Sequence, residues 1–114
     1  MGIGIKVSTD HVKDVAIIGI QGDVTAATGE VIVKTYNDDS ILNSPKILLE
    51  FDKDCYINIG GLAYLIDIVA AARKKEQIIY ACGLSEHFQK LFHMVGLSKC
   101  ISTYSSKDEA LENL

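Results

Sequence analysis

The side chains with the greatest capacity for chemistry are one cysteine, Cys55, and two histidines, His87 and His93. A cysteine near a helix amino end becomes a nucleophile when it is exposed and a base lies beside it. Histidines four residues apart share one helix face and bind metals, but His87 and His93 are six residues apart. Because the sequence offers no nucleophile–base pair and no ligand set, we expect no enzyme, no metal site and no cofactor.

Two further features lie between residues 52 and 61. Asp52 and Asp54 form a carboxylate pair without EF-hand spacing, and paired aspartates in a loop are commonly turn formers. Gly60 and Gly61 would present N–H groups to an anion if they opened a helix. No P-loop lysine follows them, so we favour close approach of the backbone to a partner or to a neighbouring loop. Anion binding stays open.

The segment that positions these residues is a strand that leads into a helix. Ile47 to Leu49 is a short apolar run between Pro45 and a polar turn, which predicts a central strand. Apolar residues at three-and-four spacing then predict a helix that begins near Ile59 to Gly61 and continues to residue 72. A strand that feeds a helix at a glycine pair is typical of a βαβ unit. The residues predicted to face the sheet are Leu62, Leu65, Ile66 and Val69.

Apolar runs and chain breakers alternate in the rest of the sequence. They predict strands at 3–8, 15–20, 77–82 and 100–103, with a turn near 9–11, and helices after Ser85 and after Ser106. Residues 24–37 are ambiguous, but their length and spacing favour a helix. We therefore predict one domain over residues 1–114, an α/β fold with a small mixed, mainly parallel sheet of about five strands and about four helices.

The composition limits the partners and the location. The chain has 114 residues, of which 48% are hydrophobic and 23% charged, and its net charge of −4 argues against a nucleic-acid partner. The apolar stretch 59–72 is shorter than the ~20 residues that span a bilayer. The amino terminus lacks the pattern of a secretory signal. We expect a cytoplasmic protein with no membrane insertion and with reduced cysteines.

The central stretch resembles the signature of STAS domains, the family that includes bacterial anti-sigma-factor antagonists. That signature is an apolar strand, an aromatic–apolar pair, and Asp-Ser-Ser-Gly-Leu at the start of a helix. Gly22-Asp23, residues 88–97 (FQKLFHMVGL) and residues 104–110 (YSSKDEA) are similar to other parts of the family in the same order. In the central motif, Tyr56-Ile57 match the pair, Asn58 the Asp, Ile59 the first Ser, Gly60 the second Ser, and Gly61-Leu62 the Gly-Leu.

The resemblance implies a regulatory protein-binding module. In antagonists that cycle, a partner kinase phosphorylates the second serine, and the added charge weakens binding to that kinase. Gly60 holds this position, so the phosphosite is degenerate. The implied partners are an anti-sigma factor of the histidine-kinase-like ATPase type or other STAS proteins, and a homodimer stays open. The alternative is an accessory STAS domain for small-molecule, lipid or transporter regulation, since the family also occurs beside transporters.

The predicted binding surface is the loop from Asp54 to Gly61 with the exposed side of the following helix. That helix has little polar surface around Asp67, which is unusual on the outside of a small sheet. Exposed apolar patches mark interfaces, although a neighbouring helix would also explain a second apolar stripe. The residues predicted to contact a partner are Asp54, Tyr56, Asn58, Ile59, Gly60, Gly61, Tyr64 and Ile68.

Overall fold

A computed structural model describes residues 4–114 of the chain. Within that range strands and helices alternate, and a short 3-10 turn at Leu97–Lys99 precedes the last strand. The strands are β1 (Ile5–Val12), β2 (Val15–Val24), β3 (Lys46–Phe51), β4 (Tyr56–Ile57), β5 (Ile78–Cys82) and β6 (Ile101–Tyr104). The helices are α1 (Gly29–Tyr36), α2 (Asp39–Leu42), α3 (Ile59–Lys74), α4 (Glu86–Met94) and α5 (Lys107–Glu112).

The sheet is mixed and mainly parallel, which confirms the predicted fold class. β1 and β2 form an antiparallel hairpin, and β3, β5 and β6 continue parallel to β2 in the order β1-β2-β3-β5-β6. The two-residue strand β4 lies off this path and pairs with the carboxyl end of β2. β4 and α2 are additions to the about five strands and four helices that the sequence predicts.

Alternating residues of β2 separate two apolar clusters, one on each face of the sheet. Ala16, Ile18 and Ile20 belong to the larger cluster, which also contains buried residues of α1 to α4. Val15 and Ile17 belong to the smaller cluster on the opposite face, with Ala110 of α5. From β2 onward, each parallel strand is added on the same side of the previous one, in the order β2-β3-β5-β6. Because the crossovers between parallel strands are right-handed, the helices between them lie on one face. Among the helices of residues 4–114, only α5 packs on the other face.

Two predictions near the amino terminus are wrong. Residues 9–11 lie within β1 instead of forming a turn, and the hairpin turns at Lys13-Asp14, where Lys13 has a φ of 56°. The strand β2 runs on to Val24, so the helix predicted over 24–37 begins only at Gly29. Pairing with β1 and with β4 extends β2 past the point where its apolar run stops. The predicted start of β1 at Ile3 lies outside the described residues.

The predicted starts of the helices after Ser85 and Ser106 are confirmed by their capping hydrogen bonds. The Ser85 hydroxyl accepts the Phe88 N–H at 3.4 Å at the start of α4. The Ser106 hydroxyl accepts the Glu109 N–H at 3.1 Å at the start of α5. The Glu109 carboxylate accepts the Ser105 N–H at 2.9 Å, one residue before the N–H that it would accept in a standard capping box. No helix in residues 4–114 is long and apolar enough to cross a membrane.

Candidate functional site

The motif loop, residues Asp54–Gly61, is held by backbone pairing to the end of β2. Tyr56 and Ile57 pair in parallel with Asp23 and Val24, and the Asn58 N–H donates to the Val24 carbonyl at 3.1 Å. Ahead of this pairing, the Cys55 N–H donates to the Asp52 carbonyl at 2.9 Å. Because these bonds fix the backbone on both sides of Tyr56, the loop has a defined conformation in the absence of a partner.

Helix α3 begins at the motif, and its start explains the glycine pair. The Asn58 side chain caps the helix by accepting the Gly61 N–H at 2.8 Å. A Cβ on Gly61 would collide with the carbonyl group of Val24, and a Cβ on Gly60 would lie 2.8 Å from the Cβ of Ala26. The favoured prediction, close approach of this backbone to a neighbouring loop, is confirmed. The Gly61 N–H is used by the cap and is not free for an anion.

The neighbouring loop, Thr25–Thr28, connects β2 to α1 and is itself well bonded. The Thr28 hydroxyl accepts the Thr25 N–H at 2.9 Å and donates to the Asp23 carbonyl. The Tyr64 hydroxyl of α3 donates to the Ala26 carbonyl at 3.1 Å, and its ring packs on Gly29, where a Cβ would collide with it. Tyr64 is thus half-buried and joins α3 to this loop, so its hydroxyl is already engaged.

Two apolar side chains of the motif loop are open to solvent. Ile59 is 82% exposed and Tyr56 is 53% exposed. The ring of Tyr56 stands edge-on to the buried ring of Phe88, with the centroids 5.8 Å apart, and His87 packs on Phe88 at 4.9 Å. We call Tyr56 and Ile59 the motif surface. Asp54 lies beside it in sequence and is exposed.

The predicted orientation of α3 is wrong at Ile66 and Ile68, although Leu62, Leu65 and Val69 are buried as predicted. Ile68, predicted to lie on the exposed side, is 1% exposed and belongs to the large core cluster. Ile66, predicted to face the sheet, is 44% exposed. A helix turns by 100° per residue, so two positions two residues apart lie on nearly opposite sides. The buried side is made by Gly61, Leu62, Leu65, Ile68, Val69 and Ala72.

The site lacks an activated nucleophile. Burial raises the pKa of the Cys55 thiol to about 11, with a smaller contribution from the carboxylates of Asp23 and Asp52, which repel a thiolate. Asp52 also accepts the Asp54 N–H at 3.3 Å, which is the turn-forming role expected of this pair. In residues 4–114 no cluster of three histidine, cysteine or carboxylate side chains is placed to hold a metal.

The structure therefore brings together most, but not all, of the predicted binding residues. The motif-loop residues are contiguous, Tyr64 is turned toward α1, and Ile68 is in the core. Sequence reasoning missed the contribution of Ala26 and of Phe88. For Ala26, the similarity of Gly22-Asp23 to the STAS family indicates the right region of the chain. For Phe88, the amphipathic pattern of α4 predicts a core residue and gives no sign of its contact with Tyr56.

No protein-family model and no curated protein sequence matches this chain. Solved structures do match. An anti-sigma factor antagonist from Mycobacterium paratuberculosis has a TM-score of 0.79 at 18% identity over 96% of this chain and 93% of that one. The Bacillus cell fate determinant SpoIIAA, an anti-sigma factor antagonist, matches in its phosphorylated form with a TM-score of 0.70 at 12% identity over 95% of this chain and 98% of that one. Its unphosphorylated form matches with a TM-score of 0.74 at 13% identity over 95% of each chain.

The STAS domain of an anti-sigma factor antagonist from Rhodobacter sphaeroides has a TM-score of 0.58 at 15% identity, over 73% of this chain and 90% of that one. The matches to the Mycobacterium antagonist and to SpoIIAA extend over at least 95% of this chain, so they include both the sheet and the helix that begins at the glycine pair. This chain has the STAS fold of the anti-sigma-factor antagonists.

Proposed function

We propose that this chain is a regulatory module that binds a protein partner through its motif surface and does not carry out catalysis. The partner class is an anti-sigma factor kinase or another STAS protein, because the fold is that of anti-sigma-factor antagonists and the sequence resembles their motif. The observation that carries the proposal is the exposure of Ile59 and Tyr56 on a loop whose backbone is already bonded in place.

Physical reasoning favours this surface as a binding site. An isoleucine that is 82% exposed gains little in the free protein, but it gains hydrophobic free energy once a partner covers it. The loop is ordered by the β4 pairing and by the Asn58 cap, so a partner does not have to order it on binding. An aromatic and an aliphatic side chain on a rigid loop are typical anchors of an interface.

Regulation of this surface does not use phosphorylation at the motif. Gly60 has no hydroxyl, and neither do Asn58, Ile59 or Gly61. SpoIIAA, with which the fold is shared, is known in a phosphorylated and an unphosphorylated form. In the adjacent loop the Thr28 hydroxyl already bonds to Thr25 and to the Asp23 carbonyl. We propose that the chain binds constitutively or is controlled by abundance or by a ligand.

The test compares the wild-type chain with an Ile59→Ala variant as bait in a lysate of the source organism, followed by mass spectrometry. Met94→Ala is the matched control, because Met94 is 80% exposed but lies at the far end of α4 from Phe88. We expect a histidine-kinase-like ATPase or a STAS protein with wild type and with Met94→Ala. With the purified partner, we expect Ile59→Ala to bind about tenfold more weakly.

The result that would contradict the proposal is equal binding by Ile59→Ala and wild type. Capture of transporter subunits in place of a kinase would support the alternative role as an accessory domain. Capture that requires neither Ile59 nor Tyr56 would move the interface to another part of the molecule. A circular dichroism spectrum of each variant separates a loss of binding from a loss of folding.

A further inference from the structure

The second face of the sheet is only partly covered. α1 to α4 pack on the first face, and the second face receives α5, a helix of six residues that packs on β5 and β6 and shares a buried cluster with Val15, Ile17 and Leu48. Sheet faces in α/β folds are normally covered on both sides. Among residues 4–114, the second face stays open only above the carboxyl ends of β2 and β3 and the part of β1 that pairs there, where Lys6, Ser8 and Gln21 are exposed.

A cavity of about 670 Å³ occupies this uncovered area. It lies between β1 and the turn at Ser105–Lys107, beside the carboxyl ends of β2, β3 and β5. Gly19 forms part of its floor, and a Cβ there would collide with the Ser8 hydroxyl, so the glycine keeps this space open. The volume is in the range of small-molecule sites. Ligands of open α/β sheets bind outside the carboxyl ends of the strands.

The cavity is lined by charges that do not neutralise one another. Lys6, Lys53 and Lys107 contribute three ammonium groups, and Glu50 and Asp52 contribute two carboxylates. Among the described residues the ion pairs are those of Lys34 with Glu30 and of Lys46 with Asp14, and none of the five cavity charges takes part. Five unpaired charges of both signs around one concave space are able to bind a molecule that carries complementary groups.

Glu50 and Lys107 are half-buried and both line the cavity, as does Cys82. Burial and, to a smaller extent, the charge of Glu50 raise the pKa of the Cys82 thiol to about 11, and the charge of Lys107 acts in the opposite direction. Within residues 4–114 neither Glu50 nor Lys107 forms an ion pair. A carboxylate and an ammonium group thus line the same cavity without pairing with each other.

We propose that this cavity binds a small molecule that carries an amine and, besides an α-carboxylate, an additional anionic group, phosphate or carboxylate. The additional anionic group binds to the lysines, of which Lys107 is the least exposed, and the amine donates to Glu50. The site is separate from the motif surface, because neither Tyr56 nor Ile59 lines it. If the cavity does not bind such a ligand, the proposed protein binding by the motif surface is unaffected. If the motif surface does not bind a partner, the cavity proposal is likewise unaffected.

The test is a titration of the ¹⁵N-labelled full chain, followed by amide NMR shifts, with O-phospho-L-serine, L-aspartate and L-serine. The first two probes carry an amine with a phosphate or an extra carboxylate, and L-serine lacks the additional anion. We expect saturable shifts at the amides that line the cavity, for example Gly19, Glu50 and Lys107, with at least one of the first two probes and not with L-serine. Which of the two binds distinguishes phosphate from carboxylate recognition.

Two variants locate the site. Glu50→Gln removes one charge without changing side-chain size, and Lys107→Gln removes one charge with a slightly shorter side chain. Each is expected to raise the dissociation constant about tenfold. Lys34→Gln is the control, since Lys34 lies on α1 on the other face of the sheet and should bind as wild type. Native spectra outside the cavity establish that the variants fold.

Three results would overturn the proposal. One is the absence of saturation by any probe at about 10 mM, which corresponds to a binding free energy too small for a specific site. Another is equal binding of L-serine, which would show that the anionic group is not recognised. The third is binding that persists in both Lys107→Gln and Glu50→Gln.

Discussion

Two isoleucines of α3 allow the orientation of this helix to be tested by a pair of identical truncations. Ile68 is 1% exposed in the large core cluster, and Ile66, two residues earlier, is 44% exposed. Ile68→Ala removes buried methyl and methylene groups and leaves a cavity, which typically costs 2–5 kcal/mol, so we expect a loss of about 3 kcal/mol. Ile66→Ala removes groups that are largely in contact with water, and we expect a loss below about 1 kcal/mol.

The assay is urea denaturation of each variant followed by circular dichroism, with a common slope m as evidence that the unfolding transition is unchanged in kind. A loss of about 3 kcal/mol is a large part of the total stability of a small domain, roughly 5–15 kcal/mol. Equal losses, or a larger loss for Ile66→Ala, would refute the observed orientation and support the sheet-facing set with Ile66 that the sequence predicts. Because Ile68 lies in the core and not on the partner-binding side that the sequence predicts, Ile68→Asp would bury a carboxylate there, and we expect the chain to unfold.

Two further predictions concern the motif and the two buried thiols, Cys55 and Cys82. In the Gly60→Ser/Ala26→Gly double variant, the second substitution removes the Ala26 Cβ that would lie 2.8 Å from the new Cβ. After incubation with ATP and a purified cognate kinase, we expect phosphate on residue 60 of this variant and none on residues 54–64 of wild type. Labelling of the wild-type segment would contradict the degenerate phosphosite. Burial raises the pKa of Cys55 and Cys82 from 9.0 to about 11. As the pH rises above 9, the unfolded chain therefore loses these two thiol protons before the folded chain does. We expect the free energy of unfolding to fall between pH 9 and pH 11. In chemical denaturation at a series of pH values this fall should be smaller for Cys55→Ala/Cys82→Ala, and an unchanged profile would assign it to other groups.

The sequence by itself determined the features that depend on neighbouring residues. The period of apolar residues predicted the βαβ order and the mainly parallel sheet, because each strand and helix has to bury its own apolar side. Capping residues fixed the starts of α4 and α5, since Ser85 and Ser106 bond to N–H groups three residues ahead. The glycine pair with Asn58 fixed the start of α3 for the same reason. The lack of a hydroxyl at Gly60 is likewise evident from the sequence.

Only the tertiary structure decided which way each side chain points and which loops meet. α3 is apolar on almost every side, so its sequence is compatible with several orientations, and packing on the sheet selected the one that buries Ile68 and exposes Ile66. The contact of Gly60 with Ala26 joins residues 34 positions apart, which no local pattern encodes. The short pairing of β4 with β2 and the cavity above Gly19 arise in the same way, because both depend on strands that are distant in sequence and adjacent in space.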